Sequence, residues 1–160
     1  GRFDARDGVM VSAKDALAVM TRRGTEASVD FVVGARLHVF EWSESEHASL
    51  ILRYRGIEDD RMYAVLFRAQ ASDNVSASIW LQDGEWRCLA SERVAPHLLK
   101  GADWLRTGLS VSAEARGAHL VVCVAGERVV EVADATLASG GVGLRVFGNG
   151  IGFSQFAIGG

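Results

Sequence analysis

SASIWLQ (residues 76–82), DG (83–84) and EWRCLA (85–90) follow one another directly, and this stretch decides the fold class. Alternate positions of the first segment, Ala77, Ile79 and Leu81, are apolar, as in a strand with one buried face. Asp83-Gly84 supplies residues that adopt the positive φ angles of a tight turn. The sequence therefore predicts an antiparallel β-hairpin.

The rest of the chain repeats this pattern. Short β-rich runs recur at intervals of roughly 8–12 residues, a spacing typical of an antiparallel sandwich or barrel. They are residues 49–55 (SLILRYR), 62–69 (MYAVLFRA), 109–111 (LSV), 119–125 (HLVVCVA), 128–132 (RVVEV) and 142–147 (VGLRVF). Glycine-containing turns predict further hairpins at residues 125–126 and 148–150. Residues 13–21 are predicted to be helical, and residues 94–100, which contain Pro96, to be a loop with one helical turn.

Composition restricts the classes of function. The chain has 160 residues, which suits one domain over residues 1–160. Seventeen Lys and Arg residues against 20 Asp and Glu give a formal net charge of −3, which argues against a nucleic-acid or anionic lipid partner. No apolar run approaches the ~18 residues that a membrane-spanning helix needs. We therefore expect neither nucleic acid nor a membrane as a partner.

The second face of the predicted sheet is neither apolar nor simply solvated. In residues 49–55 alternation places Arg53 on the side opposite Tyr54, and in residues 76–82 it places Trp80 among serines. A guanidinium can hold adjacent hydroxyls, and an indole offers a flat face for stacking. Such a face can bind a flat, hydroxyl-rich ligand.

The ordered set of motifs along the chain resembles the concanavalin A-like lectin and glucanase superfamily. The matching pieces are Asp7-Gly8-Val9-Met10-Val11 after Phe3, residues 49–54, 60–67, 84–89, 104–106 and 124–126, Asp134, and the closing segments 140–144 and 152–158. They are similar to laminin G-like repeats, to family 66 carbohydrate-binding modules and to 3-keto-disaccharide hydrolase-like domains. The resemblance implies an all-β jelly-roll sandwich of two antiparallel sheets, with about 11 to 13 strands.

The resemblance also implies a ligand-binding site on a sheet face or its rim. Its candidate residues lie in the strands of the sandwich or in a neighbouring loop: Arg53, Trp80, Arg145, Tyr63, Arg68 and Glu41. Arg53 stands in the position of the arginine in the family's "fR" motif. The arginines would bind hydroxyls, an aromatic ring would stack on a sugar, and loop 41–46 would set selectivity. The alternative is a ladder of ion pairs between these arginines and acidic residues on a solvated sheet: Glu41, Glu131 and Asp30.

These observations favour a non-catalytic carbohydrate-binding module. The resemblance leads us to expect an extracellular domain, excised from a larger secreted protein in which a catalytic or adhesive domain is tethered to it. Three alternatives stay open. They are a laminin G-like module that binds protein or glycosaminoglycan, a glycoside hydrolase-like domain, and a structural spacer without a cleft.

The hydrolase alternative depends on residues 41–47 (EWSESEH). Glucanases of this superfamily carry two glutamates that flank an aspartate on one face of a strand, whereas Ser43 occupies the place of that aspartate here. Retaining hydrolysis needs two carboxyl groups about 5–5.5 Å apart. The acidic pairs that could serve are Glu41 with Glu46, or Asp59 with Asp60. We interpret the segment as a charged surface loop.

Cofactors have little support in the sequence. The resemblance implies that a structural calcium ion is possible, with Asp4, Asp7 and Asp30 as contributors. No other metal or cofactor is expected, because the four histidines are far apart and no nucleotide-binding motif is present. Cys88 and Cys123 are expected to be free thiols, with one disulfide as the alternative.

Three further motifs receive structural interpretations. Trp86 and Trp104, each beside a turn, are interpreted as residues that close the core. Gly140, Gly141 and Gly143 are expected to allow a sharp entry into strand 142–147 and close backbone approach. Asp134 is expected to accept hydrogen bonds from nearby backbone N–H groups.

Overall fold

A computed structural model describes residues 3–20, 30–56, 58–100 and 104–159, in which the chain forms eleven strands and two short helical turns. The strands are β1 (Asp4–Arg6), β2 (Val9–Met20), β3 (Phe31–Val39), β4 (His47–Tyr54), β5 (Met62–Ala71), β6 (Asn74–Gln82), β7 (Trp86–Arg93), β8 (Leu109–Arg116), β9 (His119–Val124), β10 (Glu127–Ala133) and β11 (Gly141–Gly159). A 3₁₀ helix spans Pro96–Leu99, as predicted for that loop, and α1 spans Trp104–Thr107. Within the described ranges no helix is long and apolar enough to cross a membrane.

The strands form two layers joined by β11. They pair in the order β10-β9-β8-β3-β11-β4-β5-β6-β7, and every pair is antiparallel. Residues 141–147 of β11 pair with β4, and residues 151–159 pair with β3. β10 and β7, at opposite ends of this path, contact each other, so the path is folded face to face. We call β3, β8, β9 and β10 the back sheet and β4, β5, β6 and β7 the front sheet; the predicted jelly-roll sandwich is confirmed.

The core lies between the two sheets. Alternate residues of the front sheet point into it, among them Leu50, Val65 and Ile79, each no more than 1% exposed. Phe67 of β5 meets Phe153 of β11 edge to face, with ring centroids 6.4 Å apart. Because side chains alternate along a strand, the intervening residues of β4, β5 and β6 form the outer face of the front sheet.

A β-bulge in β4 changes the face on which Arg53 lies. Gly143 pairs with Ile51 but Gly141 pairs with Tyr54, so β4 has one more residue than β11 between these pairs. Arg53 takes up the extra residue with a φ of 52° and is 2% exposed. Tyr54 packs with Ile51 instead. The alternation predicted for residues 49–55 is therefore wrong at Arg53 and Tyr54.

Gly140 lies against this bulge. Its φ is +150°, and an added Cβ would lie 2.4 Å from the carbonyl carbon of Arg53 and 2.6 Å from the carbonyl oxygen of Tyr54. Only a residue without a Cβ fits here, which confirms the predicted close backbone approach.

Both hairpins predicted from their two-residue turns are confirmed. β6 and β7 are joined by Asp83, Gly84 and Glu85, one residue more than the predicted two-residue turn, and Gly84 has a φ of 85°. β9 and β10 are joined by Ala125 and Gly126, whose φ angles are 51° and 81°. Local turn chemistry is sufficient to place these connections.

Two local predictions are wrong. Residues 13–20 continue β2 instead of forming a helix, because residues 16–20 pair with β11 and this pairing overrides a weak helical preference. Thr21, the last residue of that prediction, lies outside the described residues. Residues 148–150 are not a hairpin turn but part of β11, where the register against β2 shifts.

Candidate functional site

The outer face of the front sheet carries a cleft of about 200 Å³, which we call the front cleft. Its lining comes from four strands of the front sheet and from β11: His47, Ser49, Ala64, Leu66, Arg68, Trp80, Trp86 and Arg145. Five strands thus contribute to one depression.

The strand register explains the shape of the cleft. Ser49 lies opposite Leu66 of β5 and Arg145 of β11, and Ala64 lies opposite Trp80 of β6. Ser49 and Ala64 are small and are 1% and 2% exposed. They form a floor between the larger side chains of Trp80 and Arg145.

Arg145 is held in place by an acidic partner. Its Nε donates to Oδ1 of Asp15 at 2.7 Å and its Nη2 donates to Oδ2, which makes a bidentate pair between β11 and β2. Hydrogen bonding from Arg145 lowers the pKa of Asp15, so this carboxylate is charged at neutral pH. The Arg145 guanidinium carbon also lies 5.1 Å from the Trp86 ring centroid, a cation–π distance. Arg145 on β11 and Trp86 on β7 therefore approach each other although β4, β5 and β6 lie between their strands in the sheet order.

Trp80 is also oriented by a hydrogen bond. Its Nε1 donates to Oγ of Ser78, two residues before it on the same face, at 2.9 Å. The indole is half-buried. One of its surfaces is therefore available at the wall of the cleft in a fixed orientation.

Several buried polar atoms of this face have no hydrogen-bond partner within the described part of the chain. They are Nδ1 of His47, Oγ of Ser49, Nε of Arg68 and Oε1 of Gln82. The first three belong to lining residues of the front cleft. A buried polar group without a partner costs about 1–3 kcal/mol, so such groups normally bind protein, water or a ligand. Three residues of the front cleft thus have donors or acceptors with which a ligand can form hydrogen bonds.

His47 is neutral at neutral pH. Burial lowers its pKa to about 4, and the charges of Arg145 and Arg68 add to this effect. Its ring stacks on Phe147 with centroids 5.6 Å apart. A neutral imidazole offers one donor and one acceptor nitrogen to a ligand.

We expect His47 to make the free energy of unfolding depend on pH. Its pKa falls from 6.5 to about 4 on folding, so the unfolded chain binds more protons between these values. The contribution of neutral His47 to the free energy of unfolding is therefore fully present above pH 6.5 and is lost as the pH falls towards 4. Between neutral pH and a pH of about 4.5, the free energy of unfolding of the native protein should fall by about 1 kcal/mol more than that of His47→Gln. This figure allows for the partial exposure of the ring. Urea unfolding of both proteins across this range measures the difference, and parallel pH profiles would contradict the assignment.

The structure brings three of the six predicted site residues together. Trp80, Arg145 and Arg68 line the front cleft. Arg53 does not, because the bulge in β4 turns it to the other side of the sheet. Its Nη1 donates to the carbonyl of Leu137 at 2.9 Å, and its Nη2 lies 3.7 Å from Oδ1 of Asp30, so Arg53 pairs with an acidic residue at a buried position and not on a solvated sheet.

Tyr63 faces the core instead of the cleft. Its hydroxyl donates to Oδ1 of Asp134 at 2.5 Å and accepts from the backbone N–H of Leu137 at 3.1 Å. Burial, followed by the hydrogen bond with Asp134, raises the pKa of Tyr63 to about 12. Asp134 Oδ1 also accepts from the N–H of Thr136 at 2.9 Å, which confirms its predicted backbone role. Tyr63 therefore fixes the segment before β11.

Glu41 lies after β3 and is not among the lining residues of the cleft. Its carboxylate is 3.7 Å from the Arg6 guanidinium. Glu46 accepts a hydrogen bond from the Gly150 N–H at 3.2 Å, and Asp59 accepts two from a neighbouring arginine at 2.7 and 2.8 Å. These contacts hold loops and the bend of β11.

Some residues of the cleft were not predicted. Trp86 is 39% exposed and lines the cleft, so its interpretation as a core residue is wrong, whereas Trp104 is 8% exposed and packs in the core as predicted. His47 shares a face with Ser49, and extending the alternation by two residues would have found it. The role of Asp15 could not be predicted from the sequence, because Asp15 lies in the segment predicted to be helical and not in a predicted strand.

The described residues contain no group of three or more His, Cys, Asp or Glu side chains that could hold a metal ion. Asp30, one of the residues considered for calcium, accepts a hydrogen bond from the Gly117 N–H at 2.9 Å. Cys88 and Cys123 are free thiols, as predicted.

A second cleft of about 310 Å³ lies beside the turn that joins β5 to β6. It is lined by Ser72, Asp73, Pro96, Leu99, Lys100, Trp104 and Leu105. Trp104 offers little surface there because the ring is 8% exposed, and none of the unpartnered polar atoms named above belongs to its lining. The front cleft is therefore the better candidate site, although it is the smaller one.

No protein-family model matches the chain, and no curated protein matches it in sequence. Solved structures do share its fold. The carbohydrate-binding module CBM66 from Bacillus subtilis matches with a TM-score of 0.73 and 14% identity, over 100% of this chain and 92% of that one. The Caenorhabditis elegans galectin LEC-6 matches with a TM-score of 0.56 and 13% identity, over 99% and 95% of the two chains. Sheep galectin-11 matches with a TM-score of 0.53 and 12% identity, over 91% and 96%.

These similarities show the fold of the chain. It is an all-β jelly-roll sandwich, the fold that the sequence motifs indicated. At such low identity the likeness does not identify a ligand, because one fold hosts many functions.

Proposed function

We propose that the chain is a non-catalytic carbohydrate-binding module whose binding site is the front cleft. One observation carries this proposal. Three lining residues with unused buried polar atoms, His47, Ser49 and Arg68, lie in the same cleft as two indoles, Trp80 and Trp86. A sugar ring offers hydroxyls to the first group and an apolar C–H face to the second.

The site is organised before a ligand arrives. Asp15 holds the Arg145 guanidinium in a bidentate pair, and Ser78 fixes the Trp80 indole. Side chains that are already ordered lose little conformational entropy on binding. The mechanism is equilibrium capture, with no bond made or broken.

The solved structures that share the fold support a carbohydrate ligand, since one is named as a carbohydrate-binding module and others as galectins. A shallow cleft of about 200 Å³ suits weak binding, which tethering to a second domain strengthens. We therefore propose an extracellular protein in which a catalytic or adhesive domain accompanies this one. Detection of the chain in a larger secreted protein of the native source supports this, and detection as a free cytosolic protein of this size contradicts it.

Binding to a glycan array, read with and without EDTA, tests the proposed function. We expect binding to a subset of glycans that EDTA does not change. The reason is that Asp15, a carboxylate beside the cleft, is already bound by Arg145, and the described residues contain no group of three or more His, Cys, Asp or Glu side chains that could hold a metal ion. Absence of binding to every glycan would contradict the proposal. Loss of binding in EDTA would instead favour a metal-dependent module of the laminin G type.

A further inference from the structure

Arg68 is a half-buried cation without a counter-charge in the described ranges. It lies in β5 on the outer face of the front sheet, opposite Ser76 of β6. Its Nε is buried and has no hydrogen-bond partner there, and no described carboxylate lies within 4.0 Å of its guanidinium. The other guanidinium of the cleft, that of Arg145, is neutralised by Asp15. The cleft therefore keeps one positive charge that the described chain does not balance.

The groups around Arg68 do not supply that balance. His47 is close enough for the charge of Arg68 to lower its pKa, and it is neutral at neutral pH. On the other side, Ser76 separates Arg68 from Arg93 of β7, whose Nη2 donates to a backbone carbonyl. The groups next to one another across the sheet are thus two cations, Arg68 and Arg93, the hydroxyl of Ser76 and the neutral imidazole of His47.

A partly desolvated guanidinium is costly unless an anion accompanies it. Sugar hydroxyls can accept its hydrogen bonds but do not cancel its charge. A carboxylate or a sulfate does both, because its oxygens accept two parallel N–H bonds from the planar guanidinium. We infer, building on the proposed function, that the glycan bound in the front cleft carries an acidic group that binds Arg68 while its ring contacts Trp80 and Trp86.

Calorimetric titration with matched sugar pairs tests the inference. One pair is tri-galacturonic acid and its uncharged methyl ester, and the other is a sulfated galactan oligosaccharide and its desulfated form. We expect the acidic member of at least one pair to bind about tenfold more tightly or better, which corresponds to a charged hydrogen-bonded contact. The pair that shows the preference distinguishes a carboxylate from a sulfate. The preference should shrink between about 0.01 M and about 0.1 M salt.

Variants connect this preference to Arg68. Arg68→Gln is expected to remove the difference between acidic and neutral members, and Arg68→Lys to keep part of it, because lysine retains the charge but loses the planar fork. Arg128→Gln, an exposed arginine of the back sheet, is the matched control and should leave the preference unchanged. If Arg68→Gln does not fold, the salt dependence of the native protein still tests the inference.

The outcomes separate this inference from the proposed function. Equal binding of charged and uncharged members in both pairs would overturn the inference and leave the carbohydrate module in place. A preference that persists in Arg68→Gln would also overturn it. Absence of binding to all four sugars and to every array glycan would overturn both.

Discussion

Trp80→Ala is expected to weaken glycan binding about 30-fold and to leave the fold intact. The indole forms a wall of the front cleft beside Ala64, and Ser78 holds its orientation. Loss of such an aromatic contact costs about 2 kcal/mol, which is roughly a factor of 30 in the dissociation constant. Calorimetric titration with a glycan that binds on the array measures the change, and near-ultraviolet circular dichroism checks the fold.

Trp42→Ala is the matched control for this variant. Trp42 is 44% exposed and packs edge to face against Trp104, away from the residues that line the front cleft. Its removal takes away an indole of the same size at a different place and should leave the affinity unchanged. An equal loss of affinity in both variants would contradict the assignment of the site.

Gly140→Ala is expected to lower the free energy of unfolding by about 4 kcal/mol. Two effects add: the φ of +150° strains a residue with a side chain, and the new Cβ would lie 2.4 Å from the backbone of the bulge at Arg53. Backbone atoms cannot move aside as the end of a flexible side chain can. Urea unfolding monitored by tryptophan fluorescence measures the loss.

Gly117→Ala separates the two effects. Gly117 has a φ of +55°, and an added Cβ would find nothing within 4 Å. This variant should therefore lose only the backbone term, about 1–2 kcal/mol. Equal losses in the two variants would contradict the close approach of Gly140 to the backbone of Arg53 and Tyr54 in β4.

Features set by neighbouring residues could be predicted from the sequence. The alternation in residues 76–82 and the turns at residues 83–84 and 125–126 depend on local backbone preferences, and the structure confirms them. Arg53 is the counterexample. Its face is decided by an extra residue in β4 relative to β11, and the two strands are far apart in sequence. Residues 13–20 likewise become a strand because β11 pairs with them.

The residues of the candidate site also fall into two groups, those that the sequence could predict and those that it could not. Trp80 and Arg68 could be assigned to a polar face because they lie in strands with a clear pattern. The pairing of Arg145 with Asp15 could not, since it joins residues 130 positions apart and Asp15 lies in a segment whose sequence predicts a helix. Trp86 stands beside a turn, and its proximity to Arg145 depends on the arrangement of strands that are far apart in sequence.

The indole N–H signals of the four tryptophans offer the most direct test of the proposed site. Trp80 and Trp86 line the front cleft, whereas Trp42 and Trp104 contact each other next to the second cleft. In a ¹H–¹⁵N correlation spectrum recorded during titration with a glycan from the array, we predict that the signals of Trp80 and Trp86 shift with a common saturation curve. Shifts confined to Trp42 and Trp104 would contradict the account and place the ligand elsewhere.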